Sequence, residues 1–174
     1  MKQNILISGT GGQGIVAAGA FLGQALFAQD LEVMFSRSYG ASARGGACKS
    51  EVMVSDEVIN DLQFEDTDVL MCLSLPAFKK YLPIAKPGSL VIVDSHVYER
   101  VGKVRDDIEI VRIPARDIAV GLGNQIVANM VMLGNLAKHN EVVSLDLLKE
   151  AVMTHMRDSM RVININALES GFNF

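Results

Sequence analysis

Asn4-Ile5-Leu6-Ile7-Ser8-Gly9-Thr10-Gly11-Gly12-Gln13-Gly14 is the stretch on which the reading of the fold turns. A short apolar run ends in a glycine cluster, and from Gln13 onward Ile15, Ala18, Leu22, Leu26 and Phe27 keep the period of a helix. Strand, tight turn, helix is the simplest order that fits. Gly9 to Gly14 matches G-x-G-x-x-G and stands where that pattern has mechanical meaning, directly after a predicted strand and opening a predicted helix. Glycines let the backbone come close to a diphosphate, while free N–H groups and the positive end of the helix favour negative charge. A tight turn without a ligand needs fewer glycines than the four present.

Working outward, Leu31 to Phe35, Glu51 to Val54, Asp68 to Leu73 and Ser89 to Asp94 read as further strands, each bounded by Gly, Pro, Ser or Asp. Val69-Leu70-Met71-Cys72-Leu73 and Leu90-Val91-Ile92-Val93 are continuously apolar, as expected of strands covered on both faces. Pro76 to Ala85 predicts a crossover helix ended by Pro87-Gly88, and Ile108 to Ile113 a sixth strand stopped by Pro114. From Ala115 the pattern is helical. Ile126 to Lys138 is apolar nearly all round, Ser144 is a good N-cap with Asp146 behind it, and Asp158 to Gly171 offers a last stripe that Gly171 is suited to close. The expectation is an α/β fold: a doubly wound, mostly parallel, Rossmann-like sheet with a helical C-terminal half.

The 174 residues, 49% hydrophobic and 21% charged, exclude a disordered tail or a disulfide-stapled module. A chain of this size buries roughly 70% of its extended surface, enough for one core, so residues 1–174 are expected to form a single domain. A net charge of −4 argues against a general nucleic-acid binder. Cys48 and Cys72 are the only cysteines, which is too few for a four-thiolate cluster or a structural zinc. The N-terminus lacks the pattern of a signal peptide and no run approaches 18 apolar residues, so a cytoplasmic protein with buried thiols is expected.

An NAD site would place Asp or Glu at the end of the second strand, roughly 20 residues past the glycines. That slot holds Ser36 and Arg37, which suit a phosphate better than a free 2′-hydroxyl, so NADP and coenzyme A both outrank NAD. The loop Ser38-Tyr39-Gly40-Ala41-Ser42-Ala43-Arg44-Gly45-Gly46 follows, and its expected place is beside the glycine turn. There Tyr39 could stack on a ligand and Arg44 could clamp an anion. His96, after the fifth strand on the rim of the glycine turn, could act as an acid, base or ligand contact but reads first as a loop cap, and Asn124, Gln125 and Asn129 could point back toward the ligand rim but read first as a plain helix start. Met130, Met132, Met153, Met156 and Met160 give the helical half an adaptable apolar character, and most of them are expected in the core; helices apolar nearly all round exceed what one small domain is expected to bury, which fits a permanent subunit contact.

G-x-G-G-Q-G after the first strand, together with S-Y-G-x-x-x-R-G-G at Ser38 to Gly46, resembles the gamma subunit, or gamma domain, of 2-oxoacid:ferredoxin oxidoreductases. The resemblance continues through Val-x-x-Ser-Asp-Glu-x-Ile ending at Ile59, Asp68, and Asn166-Ala167-x-x-x-Gly171, with the first 60 residues carrying most of it. At Ser42 the chain departs from the acidic residue of many relatives. The resemblance implies a multi-subunit enzyme that converts a 2-oxoacid and coenzyme A into an acyl-CoA and carbon dioxide and passes electrons to ferredoxin. Thiamine diphosphate and iron-sulfur clusters would belong to partner subunits, of alpha, beta and ferredoxin-like delta type. This chain would contribute the coenzyme A surface, with Gly9, Gly11, Gly12, Gln13 and Gly14 in the turn and Ser38, Tyr39, Arg44 and Gly45 facing it. Indolepyruvate-specific relatives share the domain, while compact length and the loop are most similar to 2-oxoglutarate-type enzymes. The competing readings are a stand-alone NADP-dependent oxidoreductase, with Arg37 on the 2′-phosphate, and a nucleotide-sensing regulatory module.

Overall fold

A computed structural model describes residues 1–38 and 47–174. Ile5, Leu6 and Ile7 are fully buried in β1 (Lys2–Thr10), because helices cover both faces of the sheet. Alternation decides which layer each side chain enters. Ile5, Ile7, Val69, Met71 and Ile92 pack under one set of helices, while Leu6, Leu70, Cys72, Val91 and Val93 pack under the other. The expected doubly wound α/β architecture is present.

After β1, the helix α1 (Ile15–Phe27) leads to β2 (Glu32–Ser38), and β3 (Ala47–Ser55) returns antiparallel to it. Then follow β4 (Thr67–Cys72), α2 (Leu75–Tyr81), a short 3-10 turn (Leu82–Ile84), β5 (Ala85–Asp94), α3 (Ser95–Tyr98) and β6 (Glu109–Ile113). The strand order is β2-β3-β1-β4-β5-β6. β1, β4, β5 and β6 form parallel ladders and β3 is antiparallel to both neighbours, so five of the six strands run the same way. The reversed β3 is invisible to pattern reading: Cys48, Val52 and Val54 belong to the α1 layer while Met53 and Glu51 are buried opposite, as in any central strand.

The helical half comprises α4 (Ala115–Gly121), a 3-10 turn (Gln125–Val127), α5 (Ala128–His139), α6 (Leu145–His155) and α7 (Asp158–Asn173). α5 is apolar all round because it is enclosed: Met130, Val131, Met132, Leu133 and Leu136 are all buried. Met130 and Met132 are core, as expected of most of these methionines, whereas Met153 is half-exposed. Ser144 caps α6 as expected, its Oγ accepting from the Leu147 N–H at 3.2 Å. Gly171 does not close α7; it lies inside the helix, where an added Cβ would meet the Val131 carbonyl oxygen at 1.9 Å. Gly134 on α5 stands equally close to the Leu168 carbonyl oxygen, so each helix gives the other a glycine at the crossing.

Candidate functional site

β1 sends its connection toward β2 and β3, while β4, beside it, begins the half that runs outward through β5 and β6. Between the carboxyl ends of β1 and β4 the chain therefore divides, and open α/β sheets bind ligands in the crevice at such a switch point. A cleft of about 300 Å³ lies there. It is lined by Gly12 and Gln13 at the turn, Leu73 and Asp94 at the strand ends, Gln125 from the 3-10 turn before α5, and Arg116, which stands on the β5 side, two strands from β1.

The turn is held by its own glutamine. The Gln13 Oε1 accepts from the Thr10 N–H at 2.7 Å and its Nε2 donates to the Leu73 carbonyl at 3.0 Å, tying the ends of β1 and β4 across the crevice. Gly14, with φ +68, is the N-cap of α1 and has no side chain with which to satisfy the first N–H groups of the helix. Those donors and the positive helix end face the rim, an arrangement suited to an anion. Asn129 Nδ2 donates to the Gly14 carbonyl at 2.9 Å, which makes Asn129 a brace of the turn. The helix-start account holds for Asn124, whose Oδ1 accepts from the Ile126 N–H at 3.1 Å; Gln125 instead lines the cleft.

Asp94 is almost fully buried at the end of β5, and its two oxygens accept from the His96 N–H at 3.1 Å and the Arg116 N–H at 3.0 Å. Asp94, not His96, is therefore the cap here. The His96 Nε2 lies 2.9 Å from Asp117, and that hydrogen bond and charge, helped by Asp94 and Glu99, hold the imidazole above its ordinary range. Asp94 and Arg116 escaped the sequence reading because only the parallel ladder β5–β6 brings their segments together.

Arg37 and Ser38 are exposed at the end of β2, an edge strand. β3 stands between β2 and β1, so at about 4.8 Å per strand Arg37 starts roughly 10 Å across the sheet from the turn. The expectation drawn from an NAD-type slot presumes that the second strand adjoins the first, and here it does not. Tyr39, Arg44 and Gly45, like Ser42, lie outside the described residues. The flanking Ala47 pairs with Thr10, beside the glycine turn.

Cys48 and Cys72 are buried and unpaired, on opposite faces of the sheet, and cannot jointly ligate one cluster. Burial pushes the Cys72 thiol up to about 12, with the Ser8 hydroxyl at 3.2 Å acting against it, which disfavours the reactive thiolate. No group of three or more metal-ligating side chains is found among the described residues, and no helix among them is long and apolar enough to cross a membrane.

Fold and turn together define a doubly wound, Rossmann-like α/β domain with one antiparallel strand, β3, in its sheet. The chain belongs to the pyruvate ferredoxin/flavodoxin oxidoreductase family, whose model matches residues 4–174. It is 37% identical to the 2-oxoglutarate synthase subunit KorC of Methanocaldococcus jannaschii, over 99% of this chain and 93% of that one. Among solved structures, the gamma subunit of a keto/oxoacid ferredoxin oxidoreductase from Geobacter sulfurreducens superposes with a TM-score of 0.86 at 31% identity, covering 99% and 95% of the two chains. The 2-oxoglutarate:ferredoxin oxidoreductase of Magnetococcus marinus, determined with 2-oxoglutarate, coenzyme A and succinyl-CoA bound, shares the fold with a TM-score of 0.84 at 24% identity. The match covers 99% of this chain and 30% of that one. The readings as a stand-alone NADP enzyme or a sensing module find no support among these relatives.

Proposed function

We propose that this chain is the gamma-type subunit of a 2-oxoacid:ferredoxin oxidoreductase acting on 2-oxoglutarate, and that its part is to bind coenzyme A. The relatives named as 2-oxoglutarate synthase subunits, matched over nearly their whole length, support the substrate. The observation that carries the coenzyme A assignment is the uncapped, glycine-lined start of α1 opening onto the switch-point cleft. Gly9, Gly11, Gly12, Gln13 and Gly14 form the near wall. Arg37, Ser38, Tyr39, Arg44 and Gly45 are assigned to the facing side, since the strand ends that flank residues 39–46 both lie at this edge of the sheet.

Thiamine diphosphate and the iron-sulfur clusters belong to alpha, beta and ferredoxin-like delta partners in a cytoplasmic complex, and ferredoxin accepts the electrons. This chain has two cysteines on opposite sheet faces, which agrees with cluster ligands being supplied elsewhere. The test is reconstitution. The chain alone should not reduce a viologen dye from 2-oxoglutarate and coenzyme A, and adding the partner subunits should restore the reaction. Calorimetry on the complex should show tighter binding of coenzyme A than of NAD; the reverse order, or dye reduction by the lone chain, sinks the assignment.

A further inference from the structure

We infer that Arg116 binds the diphosphate of the ligand in the switch-point cleft, gripping it from the β5 side. The inference rests on the reading of that cleft as a coenzyme A site. It adds a residue to which neither the glycine motif nor the loop after β2 points.

Arg116 is the second residue of α4, and it lines the cleft together with Gly12 and Gln13. Its base is fixed, because its backbone N–H donates at 3.0 Å to Asp94, a buried carboxylate at the end of β5. The other Asp94 oxygen takes the His96 N–H at 3.1 Å, so the starts of α3 and α4 are gathered on one rigid point of the sheet. Only the Arg116 side chain is left to adapt.

Charge gives the second line of reasoning. Asp94 puts a negative charge in the cleft floor, which would oppose an entering anion unless a cation offset it. Arg116 is the one cationic side chain among the described residues lining the cleft, and it forms no ion pair among them. Its neighbour Asp117 is turned to His96 Nε2 at 2.9 Å, so the adjacent carboxylate does not consume the guanidinium. A planar guanidinium meets phosphate oxygens with two parallel N–H bonds, and the peptide N–H groups at the start of α1 approach from the β1 side. A volume of about 300 Å³ is at the low end for ligand sites, so the cleft fits a diphosphate and its immediate neighbours while the two ends of a longer ligand extend beyond it.

The test uses the assembled complex carrying Arg116→Gln, titrated with coenzyme A and with 3′-dephospho-coenzyme A, which retains the diphosphate. KM should rise by the same factor for both, about 10- to 100-fold, with kcat at saturation kept. A rise for coenzyme A alone would move Arg116 to the 3′-phosphate and overturn the inference. A fall in kcat with KM unchanged would make Arg116 a support of the architecture, and no change would leave it a surface charge; either result also overturns it. Hydrogen exchange of residues 9–14 in the wild-type complex, with and without coenzyme A, separates the two levels. Protection of the turn upholds the coenzyme A reading whatever Arg116 does, and its absence removes that reading and this inference together.

Discussion

Four glycines within Gly9 to Gly14 have different reasons to be glycine. At Gly9 a Cβ would stand 2.5 Å from Gln13 Oε1, and at Gly14 it would stand 2.4 Å from Asn129 Nδ2 on a backbone with φ +68. Gly12 has φ +88. Gly11 has neither excuse: it is exposed, its φ is not positive, and no atom among the described residues comes within 4 Å of an added Cβ. Fold requirements among the described residues therefore explain three of the glycines, and at Gly11 the proposed close approach of coenzyme A would supply the reason. Gly14→Ala should destabilise the chain by about 1–3 kcal/mol, from left-handed strain and displacement of Asn129. That corresponds to a Tm drop of roughly 2–12 °C by calorimetry. Gly11→Ala should leave Tm within about 2 °C of wild type and weaken coenzyme A binding by the complex. A Gly11→Ala variant with unchanged affinity would show that the turn is not approached closely at that point.

Among the elements, the α5–α7 crossing sets how the helical half closes over the sheet. Glycines at 134 and 171 bring one helix against the other's carbonyls, and Asn135 Nδ2 donates to the Gly171 carbonyl at 3.1 Å within the same contact. A methyl group at either site meets rigid backbone rather than a side chain that can swing away. Gly171→Ala is expected to cost about 3 kcal/mol or more, although alanine is intrinsically the better helix former by about 1 kcal/mol. A thermal melt at or above the wild-type Tm would refute the close approach and leave propensity as the only effect. The crossing also bears on the site, because α5 carries the Asn129 that braces Gly14. Separation of α5 from α7 should therefore loosen the glycine turn, in addition to lowering stability.

For the whole molecule, the two apolar layers meet through the same strands, with Ile92 fully buried in one and Leu70 in the other. If residues 1–174 form one domain, damage to either layer should lower a single transition. Ile92→Ala and Leu70→Ala should each cost about 2–5 kcal/mol, roughly 5–20 °C in Tm, and calorimetric and van't Hoff enthalpies should still agree. Two resolved transitions in either variant would mean that the layers fold separately.

Local sequence alone determined the strand-turn-helix start, the run of buried strands, the Ser144 cap and the switch to helices after Pro114, because each is written in neighbouring residues: periodicity, glycine clusters and proline stops. The turn as the near wall of a cleft was legible for the same reason. Three features needed the tertiary structure. One is the reversed β3, since a strand covered on both faces reads alike in either direction and only its pairing with β1 and β2 reveals the sense. Another is the role of Gly171, which looks like a helix stop until α5 is laid against it. The third is the β5 side of the cleft, where Asp94 and Arg116, 22 residues apart, meet through a hydrogen bond that the β5–β6 register permits. Ligand sites at a switch point are built from the ends of strands that are distant in the chain, so sequence shows each contributor singly and only the sheet order brings them to one cleft.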